Sequence, residues 1–273
     1  MRRRIVRLGL VVALAGAALV VGRVGATLGA AHASEPLVIL PYPTTITQTA
    51  RDPQRMDLPR VRALLDAARG VNPVACELAA VAVDGRSWSG SDGDFRAGGS
   101  ADSVARDIAT WVHHDVDAAT VPLLRTAIAD SDWCVRRFAA PLLGRVHDPS
   151  ALQAMTAALG SPDATTREMG TLALGFAEDA RTIPQLVGRL RDDAPRVRAT
   201  AAWALGEIDR KEAARPLIDA LADSDPSVRE SAAQALGEVE DTSAIPPLTD
   251  LLKSDRVAAV RRAAARALGE IIG

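Results

Sequence analysis

The sequence predicts an all-α solenoid of stacked two-helix units. Three observations point there: the near absence of aromatic residues, a repeat of 31 residues, and apolar positions at helical spacing within each repeat. Aromatic residues make up 3% of the 273 positions while hydrophobic residues make up 48%. A chain of this size must then fill its interior with Ala, Leu, Val and Ile. That disfavours aromatic-rich β-sandwiches and barrels and favours closely packed helices.

The repeat is carried by Leu-Gly at Leu143-Gly144, Leu174-Gly175, Leu205-Gly206, Leu236-Gly237 and Leu268-Gly269. Eight residues before each Leu stands Val135, Thr166, Val197, Val228 or Val260. Arg136, Arg167, Arg198, Arg229 and Arg261 follow these. Upstream, Leu124, Met155, Leu186, Leu217 and Leu248 keep the same register, as do Ile128, Leu159, Leu190, Leu221 and Leu252. A fixed period of this length marks a repeat architecture, in which one unit cannot bury its own apolar face and neighbours must stack.

Each unit reads as two helices. Ile183, Leu186, Val187 and Leu190 form an apolar stripe on a first helix. A polar turn follows, with Asp225 placed as N-cap and Pro226 at the first helical position, where its missing N–H costs nothing. Asp132 and Asp163 hold the equivalent place. Ala194 does not, so that cap is weaker or comes from Asp193. The second helix carries Ala pairs (Ala139-Ala140, Ala201-Ala202, Ala232-Ala233, Ala264-Ala265), which permit close approach of helix axes. The Gly after each Leu is expected where the next unit's helix crosses.

At these residues the chain resembles the HEAT-repeat family, specifically the short bacterial phycobilisome-lyase HEAT-like repeats. Their pattern is similar to Asp-x-x-Val-Arg-x-x-Ala-Ala-x-Ala-Leu-Gly-x-Ile. Asp225 to Val239 follow it closely; the unit around Thr166 departs most, with Gly170-Thr171 in place of Ala-Ala. The resemblance covers about residues 118–273 and implies a scaffold fold hosting many partners, with no particular activity.

The flanking organisation is read from composition. Arg2, Arg3, Arg4 and Arg7 precede the apolar run Leu8–Gly22, and small residues follow. Residues 1–33 therefore read as a secretory signal peptide or, uncleaved, an N-terminal anchor. Residues 34–56 read as an extended tether and 57–100 as a degenerate helical hairpin with a Gly-rich loop. Residues 101–273 read as the solenoid. Removal of 1–33 leaves 27 basic against 34 acidic residues, a net charge of −7, which makes nucleic acid a poor partner. The expected location is the periplasm or cell envelope, with membrane contact only through an uncleaved N-terminal segment.

Candidate sites are few. The arginine series (Arg136, Arg167, Arg198, Arg229, Arg261) reads as inter-repeat glue rather than an anion strip. The family's second helices line a concave surface. There Phe138, Met169, Leu172, Phe176 and Trp203 occupy positions that are polar in later units, while Arg262 and Arg266 turn the strip basic. An exposed stripe of this kind would bind a peptide or protein with an apolar segment and an acidic end. His113, His114 and His147 are weak metal candidates; helix ends gather such residues for capping reasons. Cys76 and Cys134, separated by 58 residues, are expected as buried free thiols, although export would permit a disulfide. The sequence carries no G-x-S-x-G, H-E-x-x-H, P-loop or G-x-G-x-x-G motif and implies no cofactor.

The expected function is non-catalytic protein binding or scaffolding. The alternatives are an enzyme or chaperone like the phycobilin lyases, and a sensory or accessory domain for a separate catalytic chain. The sequence ends shortly after Leu268, so stacking between chains through the C-terminal repeat would give a homodimer.

Overall fold

The structure is a computed structural model and describes residues 56–71, 76 and 115–273. All belong to the unit Ala50–Gly273. The expected signal segment, most of the tether, the Gly-rich loop and the expected helix at 101–114 lie outside the described residues.

Eleven α-helices are present among them: α1 (Leu58–Ala68), α2 (Val121–Ala127), α3 (Trp133–Gly144), α4 (Pro149–Ala158), α5 (Ala164–Ala177), α6 (Ile183–Arg189), α7 (Pro195–Ile208), α8 (Ala214–Ala220), α9 (Pro226–Val239), α10 (Ile245–Ser254) and α11 (Ala258–Ile272). From α2 onward they form five pairs, α2/α3 to α10/α11. Each first helix packs on its own second helix, and the second helices pack in series from α3 to α11. This is an all-helical repeat solenoid. None of these helices is long and apolar enough to cross a membrane.

The register predicts the core. Leu124, Leu186, Leu217 and Leu248 of the first helices are fully buried, as are Leu143, Leu174, Leu205 and Leu236 of the second helices. The glycines after those leucines are sites of close approach. A Cβ on Gly206 would lie 2.8 Å from the Cβ of Ala235 on the next second helix, and one on Gly237 would lie 3.0 Å from the Cα of Ala267. Gly170 serves another contact: its Cβ would meet Ala158 of α4 at 2.6 Å, which explains the Gly in place of the first Ala of the pair in this unit. The helices begin on side-chain caps at Asp132, Asp163 and Asp225, whose carboxylates accept first-turn N–H groups. Ala194 caps nothing with its side chain, and Asp193 does not replace it. α5, α7 and α9 end on Glu178, Asp209 and Glu240 in left-handed backbone at φ 48°, 50° and 50°, a conformation that favours Gly.

The N-terminal segment docks onto the first pair. Met56, read as the last tether residue, is instead buried and pairs with the chain ahead of α2: its N–H donates to Asp115 O at 3.1 Å, and Asp117 N–H donates to Met56 O at 3.0 Å. α1 is the expected helix after it, capped by Asp57, whose carboxylate accepts from Arg60 N–H. It buries Val61, Leu65 and Ala68 along one face and packs on α3.

Candidate functional site: the arginine–aspartate ladder and the second-helix face

Three of the five arginines in this series, Arg167, Arg198 and Arg229, cross from one repeat to the next. Arg198 donates from Nη1 to the carbonyls of Asp192 and Asp193 in its own turn, at 2.9 and 3.3 Å. Its Nε and Nη2 reach the carboxylate of Asp223 in the following turn, at 2.8 and 2.9 Å. Arg229 repeats this with the carbonyls of Asp223 and Ser224 and the carboxylate of Asp255. Arg167 does so with the carbonyls of Ser161 and Pro162 and the carboxylates of Asp192 and Asp193. The planar guanidinium suits this double duty: one edge satisfies turn carbonyls while the other meets a carboxylate side-on.

Each accepting Asp is also fixed by its own turn. Asp192, Asp223 and Asp255 accept the N–H two residues on, from Ala194, Asp225 and Val257. These carboxylates are nearly buried. Burial alone pushes Asp192 up, but Arg167 and the Ala194 N–H outweigh it and bring it down to about 2. The same balance lowers Asp223, and the Arg229 hydrogen bond lowers Asp255. Sequence reading missed this Asp series. The signal was there, at Asp130, Asp192, Asp223 and Asp255, spaced by two repeats of 31, then 31, then 32 residues, each three positions ahead of the start of a second helix.

Two rungs differ. At the first turn Asp130 receives Arg69, which follows α1, at 3.1 and 2.8 Å. Beside it Asp132 accepts Gly70 N–H at 2.8 Å. Between α3 and α5 the accepting position is Ser161. Arg136 keeps its turn contacts to the carbonyls of Asp130 and Ser131, but its buried Nε has no hydrogen-bond partner.

The cysteines are not free thiols. Cys76 and Cys134 form a disulfide with Cα atoms 5.8 Å apart, and both are buried. Counting repeats suggested poor reach. The docked N-terminal segment, which is not in repeat register, brings Cys76 to the start of α3.

The predicted apolar stripe is not an exposed surface as a whole. Phe138, Met169 and Leu172 are 3%, 4% and 9% exposed and belong to the core. Phe176 and Trp203 are half-buried, with ring centroids 5.2 Å apart and planes tilted by 56°. The indole of Trp203 lies over Gly175, where a Cβ would come 2.5 Å from Cζ3. The guanidinium of Arg145 stands 5.2 Å from the Phe176 ring centroid. Farther along the same face the side chains are exposed and polar: Gln234, Glu238, Arg262, Arg266 and Glu270. Burial and the nearby Glu238 and Glu240 raise Glu270 above the usual carboxylate range, against the lowering effect of Arg266.

Of the metal candidates only His147 is among the described residues. His147 Nε2 lies 3.7 Å from Asp115 Oδ1, both well exposed, and His113 and His114 lie outside the described residues. Among the described residues no group of three or more His, Cys, Asp or Glu side chains is placed to hold a metal ion.

The sequence model for HEAT repeats matches residues 120–196 and 183–269. No curated protein matches the sequence. Solved structures similar to the chain include the complex of CpcE and CpcF of phycocyanin lyase from Nostoc sp., at 29% identity and TM-score 0.47, over 56% of this chain and 65% of that chain. This chain therefore spans less than two thirds of that relative. A designed armadillo repeat protein in complex with the peptide (KR)4 matches at 17% identity and TM-score 0.42, over 78% of this chain and 99% of that one. Human deoxyhypusine hydroxylase in complex with glycerol matches at 17% identity and TM-score 0.37, over 78% and 84%.

Proposed function

The chain belongs to the HEAT-repeat family, and from that premise we propose that it is a non-catalytic scaffold of the cell envelope that holds a protein or peptide partner on its second-helix face. Solenoids of this kind typically bind proteins, because stacked repeats offer an extended surface on a rigid frame. The observation that carries the reading is the gradient along that face. Buried apolar residues at Phe138, Met169 and Leu172 give way to the half-buried Phe176–Trp203 pair, then to exposed Gln234, Glu238, Arg262 and Arg266. An aromatic anchor beside a polar rim is the layout of a binding hot spot. A partner with an apolar segment and an acidic end fits, the acidic end meeting Arg262 and Arg266. Export is supported by the basic-then-apolar N-terminus and by the buried disulfide, which forms and persists in oxidising compartments.

The test is affinity capture from an envelope fraction, followed by titration of the captured protein against purified variants. Trp203→Ala should weaken binding by ~2 kcal/mol or more. Because Trp203 also packs on Gly175, Arg262→Glu with Arg266→Glu serves as the companion variant and should weaken binding without lowering the melting temperature. Equal affinity for wild type and both variants would refute the site.

A further inference from the structure

One internal junction of the ladder differs in chemistry from its sisters. At the α5–α7, α7–α9 and α9–α11 junctions, the Nε and Nη2 edge of an arginine meets a carboxylate at 2.7–3.2 Å: Arg167 on Asp192, Arg198 on Asp223, Arg229 on Asp255. At the α3–α5 junction the arginine is kept and the acid is not. Arg136 holds the carbonyls of Asp130 and Ser131, as its sisters hold the carbonyls of their own turns. Ser161 stands in the Asp position, and its Oγ accepts the Asp163 N–H at 3.2 Å, which reproduces the turn without the charge. The Nε of Arg136 is buried and has no hydrogen-bond partner among the described residues. A buried donor in this state calls for an explanation, because such groups are almost always paired.

The Arg198 rung supplies the comparison, residue for residue. The charge of Arg136 reaches Asp130, Asp163 and Glu168. Asp192, Asp225 and Glu230 hold the equivalent register positions around Arg198. In both turns the first acid is taken by another arginine, Asp130 by Arg69 and Asp192 by Arg167. In both the second acid caps the following helix: Asp163 accepts from Thr166 N–H and Oγ–H at 2.9 and 2.7 Å, and Asp225 from Ser227 N–H and Oγ–H. With that same set around it, Arg198 still takes Asp223. The α3–α5 junction therefore carries one negative charge fewer than its sister. Ser161 is also two heavy atoms smaller than Asp, and it offers an O–H donor where a carboxylate offers only acceptors.

We propose that the α3–α5 junction is a halide site, in which one chloride-sized anion sits between the guanidinium edge of Arg136 and the hydroxyl of Ser161. The ion takes the part that an Asp carboxylate plays at the sister rungs. One missing charge selects a monoanion, and two missing heavy atoms select a small one; sulfate or phosphate would bring excess charge and volume beside Asp163. A water molecule would accept the Nε–H but leave a guanidinium partly withdrawn from solvent without its counter-charge. The site lies between two described helices inside the array. Its function is to couple the first pair to the rest: an ion that binds only the stacked form stabilises it by mass action, so this junction tightens as the surrounding halide concentration rises.

Two measurements on the purified full chain test this. In the first, thermal unfolding is followed at fixed ionic strength while sodium chloride replaces sodium gluconate. The wild-type melting temperature should rise and level off, with half of the rise reached below the physiological salt level of about 0.15 M. Ser161→Asp should melt alike in both salts, because its own carboxylate takes the place of the ion, and Arg136→Gln should be equally insensitive. Arg229→Gln breaks a sister rung and should melt lower while keeping the chloride response, which separates the site from general loosening of the ladder. In the second, crystals grown in sodium bromide should show an anomalous bromine peak beside Arg136 Nε and Ser161 Oγ in wild type and none there in Ser161→Asp. A wild-type melting temperature that is equal in the two salts or climbs without levelling, a chloride response that survives in Ser161→Asp, or a water molecule in place of bromide would each overturn the proposal.

Discussion

The first and the last described repeats differ in how their outer faces are met. At the N-terminal end, the face of the first pair is closed by a segment outside the repeat register. α1 lies on α3, Arg69 fills the acceptor at Asp130, Gly70 bonds Asp132, and the Cys76–Cys134 disulfide fixes the join. At the C-terminal end, α11 carries the same kind of face with the rung open at Arg261 and Gly269 uncovered. The difference shows that the ladder is a set of separable junctions. Each couples only neighbours, as expected for a quasi-one-dimensional fold, so a junction can be closed by an element outside the repeat register.

Breaking the closed end should have the largest effect. A cross-link spanning 58 residues restricts the unfolded chain enough to contribute about 4 kcal/mol. Cys76→Ala with Cys134→Ala should lower the denaturant midpoint accordingly, and added reductant should do the same to wild type under partly unfolding conditions. Hydrogen exchange should speed first in α1 and α3. A double variant as stable as wild type would mean that docking alone closes this end.

The next comparison sets an internal rung against the open one. Arg229→Ala removes a charge-assisted pair and leaves Asp255 nearly buried without its counter-ion, a loss of about 2–3 kcal/mol. Arg261→Ala removes one bond to a carbonyl and should cost about 1 kcal/mol or less. Equal losses in urea unfolding would show that Arg261 has an energetic role the structure does not explain.

The smallest change should be a gain. Ser161 stands where other units have the accepting Asp, and the Nε of Arg136 is left buried without a hydrogen-bond partner. Ser161→Asp completes that rung and should stabilise the α3–α5 junction by about 0.5–1 kcal/mol, read as a raised melting temperature. A neutral or destabilising result would place the neighbouring Asp163 carboxylate as the obstacle.

Much of this was legible in the sequence because repeats restate it. The buried leucines, the close-approach glycines and the pairing of helices follow from positions that recur every 31 residues, and five copies average out local irregularity. The candidate site was less legible. Phe138, Met169 and Leu172 share a helix face with Gln234 and Arg266, so helical register alone assigns them alike; whether that face is core or surface depends on packing beyond the repeat. The disulfide was hidden for a related reason. A spacing of 58 residues is informative only if both cysteines obey the period, and Cys76 does not.

Local periodicity and turn chemistry determined that this chain forms stacked helical pairs, because each helix must bury an apolar stripe that the sequence spells out within one or two turns. Which of those stripes end up covered, which cysteines meet, and which arginine finds a carboxylate were decided only in the tertiary structure. Those outcomes depend on contacts between residues 25 to 62 positions apart, and their energies depend on desolvation that no single repeat can set alone.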